Sequence, residues 1–341
     1  MRRAALVLAL LLAACGGGGG SDGTGQSALT STSVPEQVPS SAPSSVPVSV
    51  PLQTSTSGAG TGTSPATTAA SPGRGAAATL LAAGDIASCN STGDEATAAL
   101  LDGRPNAAVA TLGDNVYESG TAGEFATCYD PTWGRHKART RPAIGNHEYG
   151  VFRAGGYFGA FGAAAGESPL GWYSYNLGDW HIVVLNSNCE AVGCMTGGTQ
   201  EKWLREDLAA HATACTLAYW HHPRFSSGTT HGPTPAVQPL WTALYDAGAD
   251  VVLSGHEHNY ERFAPLDPTG KPDDARGMRQ FVVGTGGRSH YPFGTPMPGS
   301  QVRNDSTYGL LALTLRTGSY QWQFVPEAGK SFTDSGSANC H

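Results

Sequence analysis

Five short motifs, each closing an apolar stretch, constrain this chain more than any other feature. They are Gly84-Asp85-Ile86-Ala87, Gly113-Asp114-Asn115-Val116-Tyr117, Gly145-Asn146-His147-Glu148, Trp220-His221-His222 and Gly255-His256-Glu257-His258. Each puts a carboxylate, phenol, amide or imidazole just after a run able to form a strand. In four of them a glycine comes first, which permits a tight turn and close backbone approach. Residues that follow the strands of an open α/β sheet gather at its carboxyl edge. The pattern therefore predicts one sheet mouth lined with oxygen and nitrogen ligands, in an order that suits two adjacent metal ions.

The intervening sequence supports that architecture. β-branched and apolar runs at Leu80 to Ala83, Ala107 to Leu112, His181 to Leu185, Leu217 to Trp220, Val251 to Leu253, Gln280 to Val283, Leu310 to Leu315 and Tyr320 to Val325 read as strands. Gln200 to Ala210 and Pro239 to Ala247 carry apolar residues at helical spacing, with Glu201 and Arg205 paired at i,i+4 and Gly248 placed as a helix stop. Strands alternating with helices predict an α/β fold, and the late run of strands predicts mixed sheets.

The ends of the chain are of other kinds. Arg2 and Arg3, the apolar Ala4 to Leu12 and the small residues up to Cys15 read as an export leader at residues 1–15. Its apolar run is too short to span a bilayer as a helix. Leu12-Ala13-Ala14-Cys15 resembles the bacterial lipobox, which implies acylation of Cys15, membrane attachment through an N-terminal lipid and a location on the outer face of the cell membrane. If the lipobox is not used, the expectation is secretion. Residues 16–76, built from Gly, Ser, Thr, Pro and Ala with almost no charge, cannot bury enough surface to offset their ordering entropy and read as a disordered tether. Flexible-chain scaling gives it a reach of roughly 40 to 45 Å. Residues 77–341 remain as one catalytic domain. A formal charge of −7 gives no basic footprint for nucleic acid. Six cysteines besides Cys15 suggest up to three disulfides in an exported chain; fifteen pairings are open, and a local Cys189–Cys194 bridge is the one the spacing favours.

Taken singly, Asp85 or Asp114 would read as a turn or helix-cap residue and Tyr117 as a core aromatic. Taken in order, the motifs resemble the calcineurin-like metallophosphatase superfamily and, within it, the purple acid phosphatases. That pattern is an Asp after a first strand, Asp-x-x-Tyr after a second, Gly-Asn-His-Glu, a His after an apolar strand, and Gly-His-x-His. The likeness runs from about Leu80 to the C-terminus, where Phe281-Val282-Val283-Gly284-Thr285-Gly286-Gly287 and Tyr308-Gly309 add to it. It implies a four-layer sandwich of two mixed β-sheets flanked by helices. Ala87 departs from the glycine often found after the first Asp, and the expected tether stands at the position where plant-type members carry an N-terminal β-sandwich.

The resemblance also implies roles. Asp85, Tyr117 and His258 would hold a first metal, Asn146, His221 and His256 a second, and Asp114 would bridge them. His147 would protonate the leaving group and His231 would contact substrate. His221 is preferred over its neighbour His222 because Pro223 then falls two residues later, and Glu148 is expected to orient His147. Hard oxygen ligands suit Fe(III), and imidazole with an amide oxygen suits a divalent Fe, Zn or Mn. A +3/+2 pair less two aspartates and one tyrosinate leaves about +2, enough to attract a phosphate dianion. The expectation is hydrolysis of a small phosphate monoester by hydroxide attack on phosphorus. A phosphodiesterase or nucleotide-directed hydrolase is the alternative within enzymes, and a non-catalytic metal- or phosphate-binding surface lipoprotein is the alternative outside them. Oligomeric state is left open.

Overall fold

The computed structural model describes residues 75–341 apart from residue 214. The leader with Cys15, and nearly all of the tether expected at 16–76, lie outside the described residues. Two large sheets form the described unit. The first runs, in order of pairing, Ser335–Asn339, Ser319–Pro326, Gly309–Arg316, Ala78–Ala83, Ala108–Leu112 and Thr140–Ala143. The second runs Ser300–Asn304, Tyr260–Leu266, Met278–Val283, Val251–Ser254, Thr216–Tyr219, Trp180–Val184 and Tyr173–Leu177. In the first sheet Ala78–Ala83, Ala108–Leu112 and the edge strand Thr140–Ala143 are parallel and the strands beyond Ala78–Ala83 antiparallel; in the second the four strands from Met278–Val283 to Trp180–Val184 are parallel and those outside them antiparallel.

Alternation along the strands explains the layering. Ile182, Val184, Leu217, Tyr219, Val251, Leu253, Phe281 and Val283 join Leu80, Val109 and Leu311 of the first sheet in one buried core. Val183, Ala218, Val252 and Val282, one residue out of step, pack on the opposite face against Leu204 and Leu208 of helix Thr199–Ala210 and Leu240, Trp241 and Leu244 of helix Gln238–Asp246. A period of two puts successive side chains on opposite faces, so these fully buried strands read as continuous apolar runs. Helix Gly93–Asp102 contributes Ala98 and Leu101 to the first core, beside Trp133 of the turn Trp133–Arg139. Helix, sheet, sheet and helix give the expected four-layer α/β sandwich.

The eight expected strands and both helices form, within one or two residues at the ends. The Glu201–Arg205 pair is made, with Arg205 also reaching Asp246, and Gly248 follows the second helix at φ 75°. Three disulfides close, Cys89–Cys128, Cys189–Cys194 and Cys215–Cys340. The first ties the loop after Asp85 to the segment after Tyr117, and the last ties the C-terminus to the second sheet.

Candidate metal centre

Because all the central strands are parallel, their carboxyl ends meet at one edge, and each motif leaves the sheet there. Gly84 donates its amide to the carbonyl of Val283 at 2.9 Å, which joins the two sheets at this edge, and within the second sheet Gly255 donates to the carbonyl of His221 at 2.9 Å. Two glycines are needed sterically. A Cβ on Gly145 would stand 2.1 Å from Asp114 Oδ1, and one on Gly113, at φ +83°, would stand 2.6 Å from the His221 ring. Asp85, Asp114 and His256 adopt left-handed φ of 60°, 47° and 70°. Such backbone costs on the order of 1–3 kcal/mol per residue and persists where surrounding structure enforces it, commonly at functional sites.

The side chains form two groups that share one oxygen. In the first, the Tyr117 hydroxyl lies 2.9 Å from Asp85 Oδ1 and 3.2 Å from His258 Nε2, and that nitrogen is 3.3 Å from Asp85 Oδ1. In the second, His221 Nε2 lies 3.0 Å from Asn146 Oδ1 and 3.1 Å from His256 Nδ1. Asp114 Oδ2 belongs to both, 3.0 Å from the Tyr117 hydroxyl and 3.2 Å from His221 Nε2. Asp85, Tyr117, Asp114 and His221 are buried.

Outer contacts orient the imidazole rings. His221 donates from Nδ1 to the carbonyl of Leu112 at 2.8 Å, and His258 Nδ1 pairs with the Ser289 hydroxyl at 2.7 Å, so each turns Nε2 inward. The Glu148 carboxylate accepts the amides of Asp114 at 3.1 Å, Asn115 at 2.6 Å and Gly145 at 2.6 Å. It therefore braces two ligand loops, while His147 is oriented from elsewhere: its Nδ1–H donates to the carbonyl of Glu118 at 2.6 Å. That corrects the expectation that Glu148 orients His147. His147 Nε2 is left 3.9 Å from Asp114 Oδ2, and the His147 amide donates to Asp114 Oδ1 at 2.9 Å.

His221 and His222 pack differently. His221 lies inside the cluster. His222 pairs through Nδ1 with the Ser187 hydroxyl at 2.8 Å, and its ring stands 4.3 Å from that of His256. His231 is exposed, with its ring stacked 4.1 Å from His256 and its amide donating to Glu257 Oε1 at 2.7 Å. All nine residues singled out from sequence thus reach one mouth. Four that were not singled out join them: Glu118, Arg288, Ser289 and Tyr291, the last stacked 3.9 Å from His258.

The electrostatics call for a cation. Burial pushes the Tyr117 phenol well above 10, and Asp114 and Asp85 beside it push it further. Burial alone would raise the Asp114 carboxyl, but His221 and His147 hold it well below the usual carboxylate range. Burial opposes charge on His221, yet Asp114 raises it to about 9. Burial and the proximity of Asp114 raise Glu148 to about 7 despite its amide donors. Two buried carboxylates, a phenol held between them and imidazole nitrogens facing one another fit a pair of metal ions. Asp85, Asp114 and His221 offer ligand atoms all within 4.8 Å of one another, and so do His221, His222 and His256.

A parallel-centred sandwich with ligands on one edge defines a metallophosphatase-type protein. The sequence profile of the family described as calcineurin-like phosphoesterase matches residues 78–260, more than half the chain, and the chain belongs to that family. Among its relatives, purple acid phosphatase 15 of Arabidopsis thaliana is 29% identical over 178 residues, covering 46% of this chain and 32% of that protein. Purple acid phosphatase 21 of the same plant is 30% identical over 187 residues, covering 48% and 41%. The match therefore spans about a third of the length of the relatives first in rank. In fold, the chain is similar to the purple acid phosphatase PPD1 from yellow lupin seeds, with a TM-score of 0.66 at 17% identity, over 79% of this chain and 55% of that one.

Proposed function

We propose that this protein is a binuclear metal-dependent phosphatase that hydrolyses small phosphate monoesters. The observation that carries the reading is the position of Asp114 Oδ2, common to the Asp85–Tyr117–His258 group and the Asn146–His221–His256 group. In this reading the first group would hold Fe(III), because a phenol so strongly disfavoured as an anion requires a strong Lewis acid. The second would hold a divalent Fe, Zn or Mn, and Asp114 would serve both. Two bound metal ions would lower the pKa of a water and neutralise charge on the phosphoryl group.

The chain's own residues supply the rest. The Glu118 carbonyl fixes the Nδ1 proton of His147, so a proton for the leaving alkoxide is carried at Nε2. His231, stacked on His256, borders the substrate's approach. The three disulfides support function in an oxidising compartment, in keeping with export and attachment through Cys15.

The test is phosphate release from a chromogenic monoester and from the matching diester, with and without chelator, alongside metal analysis. The reading expects chelator-sensitive release with higher kcat/KM on the monoester. Higher efficiency on the diester would shift it to a phosphodiesterase, and metal uptake without hydrolysis of either would leave a binding protein.

A further inference from the structure

The loop after strand Met278–Val283 folds back over the mouth and is fastened to it. Gly286 donates to the carbonyl of Gly84 at 2.8 Å, Arg288 to that of Asp85 at 3.0 Å, and Tyr291 to that of His258 at 3.0 Å. Ser289 pairs with His258, and the Tyr291 ring packs between His258 and His231, 5.5 Å from the latter. Arg288 is thereby held on a rigid support beside the ligand cluster. Its guanidinium lies 5.1 Å from the centre of the Tyr117 ring, and the His147 ring packs on the same tyrosine at 4.4 Å. The cation and the residue assigned to the leaving group share one aromatic wall.

The partner of Arg288 is weakly committed. Its Nη2 pairs with the Glu118 carboxylate, whose side chain is 53% exposed against 26% for Arg288. Exposed ion pairs contribute little net stability, so an incoming anion can take the place of Glu118 at small cost. The planar guanidinium fork matches carboxylate and phosphate oxygens two at a time. Glu118 also links this pair to the chemistry, because its backbone carbonyl orients His147.

We propose that Arg288 forms a subsite for a second anionic group, a carboxylate or phosphate carried on the alcohol portion of the substrate. The inference rests on the monoesterase reading and narrows it: preferred esters carry a further negative charge next to the ester carbon. Glu118 occupies the guanidinium in the free protein and yields it to substrate.

Glycerol 2-phosphate and 2-phosphoglycerate test this, since they differ in one hydroxymethyl replaced by a carboxylate. With the metal-loaded, purified protein, the ratio of kcat/KM for 2-phosphoglycerate over glycerol 2-phosphate is expected to exceed one. Arg288→Ala should lower that ratio at least tenfold, Arg288→Lys should fall between, and Glu118→Gln, which keeps the backbone carbonyl, should raise it. A ratio unchanged in Arg288→Ala, whether or not both activities drop together, overturns the subsite and leaves Arg288 as a structural latch. A ratio lowered by Glu118→Gln overturns it too. If the wild type hydrolyses neither ester, the monoesterase reading falls and this inference with it; if it hydrolyses both without regard to Arg288, only the inference falls.

Discussion

The hydroxyl of Tyr117 stands 3.0 Å from Oδ2 of Asp114, the oxygen that also lies 3.2 Å from Nε2 of His221. A side chain in that position answers to both halves of the site. Asp114→Ala is expected to lose both metals, measured by elemental analysis after gel filtration. Asp114→Asn, which preserves an oxygen for the His147 amide, is expected to retain at most one. Two metals per chain in either variant would remove Asp114 from the bridging role.

Tyr117 answers to one half only. Its hydroxyl contacts Asp85, Asp114 and His258, whereas Asn146, His221 and His256 are arranged without it. Tyr117→Phe should therefore keep most of the divalent metal while losing the visible charge-transfer band of an iron-bound tyrosinate. A colourless, fully active wild type would exclude ferric iron from the Tyr117 side.

What the sequence disclosed followed from locality. Asp85, Asp114, Asn146, His221 and His256 each sit within a few residues of the strand that positions them, so linear motifs reveal them. Strands Thr140–Ala143, Tyr173–Leu177, Tyr260–Leu266, Ser300–Asn304 and Ser335–Asn339 of the two large sheets escaped, because Pro142 and Pro265 interrupt two of them and polar residues are interspersed through the other three. Glu261 shows why polarity misleads: it is buried mid-strand, yet satisfied by Ser227 and Ser300 from distant segments. Arg288 was equally silent, since its partner Glu118 lies 170 residues away. The pairing of Glu148 with the amides of Asp114 and Asn115 likewise depends on tertiary structure, which is why proximity in sequence suggested His147 instead.

His147 carries its Nδ1 proton to the Glu118 carbonyl, so a proton at Nε2 exists only in the imidazolium. His147→Ala should retain metal and lose roughly 10²- to 10⁴-fold in turnover on alkyl phosphates, the range for removal of a general acid. Esters with good leaving groups should lose far less. Equal losses on both classes would assign His147 to phosphate binding.

A last prediction concerns stability away from the ligands. Asp94 is buried in the first turn of helix Gly93–Asp102; its Oδ2 accepts from the Thr132 hydroxyl at 2.7 Å, and its Oδ1 has no partner. Burial, reinforced by Glu95 and opposed by the Thr132 hydroxyl, raises its carboxyl from 3.8 to about 6. The folded state therefore holds this proton more tightly than the unfolded chain does. Stability from the protonated group is complete below about pH 4, declines as pH rises toward about 6, and is flat above that. Asp94→Asn imitates the protonated form and keeps an acceptor for Thr132. Relative to wild type, its denaturant midpoint should gain steadily between about pH 4 and pH 6 and then level off. A difference between the two proteins that does not change across that window would mean that Asp94 ionises freely in the fold, and that its unpartnered Oδ1 is reached by solvent.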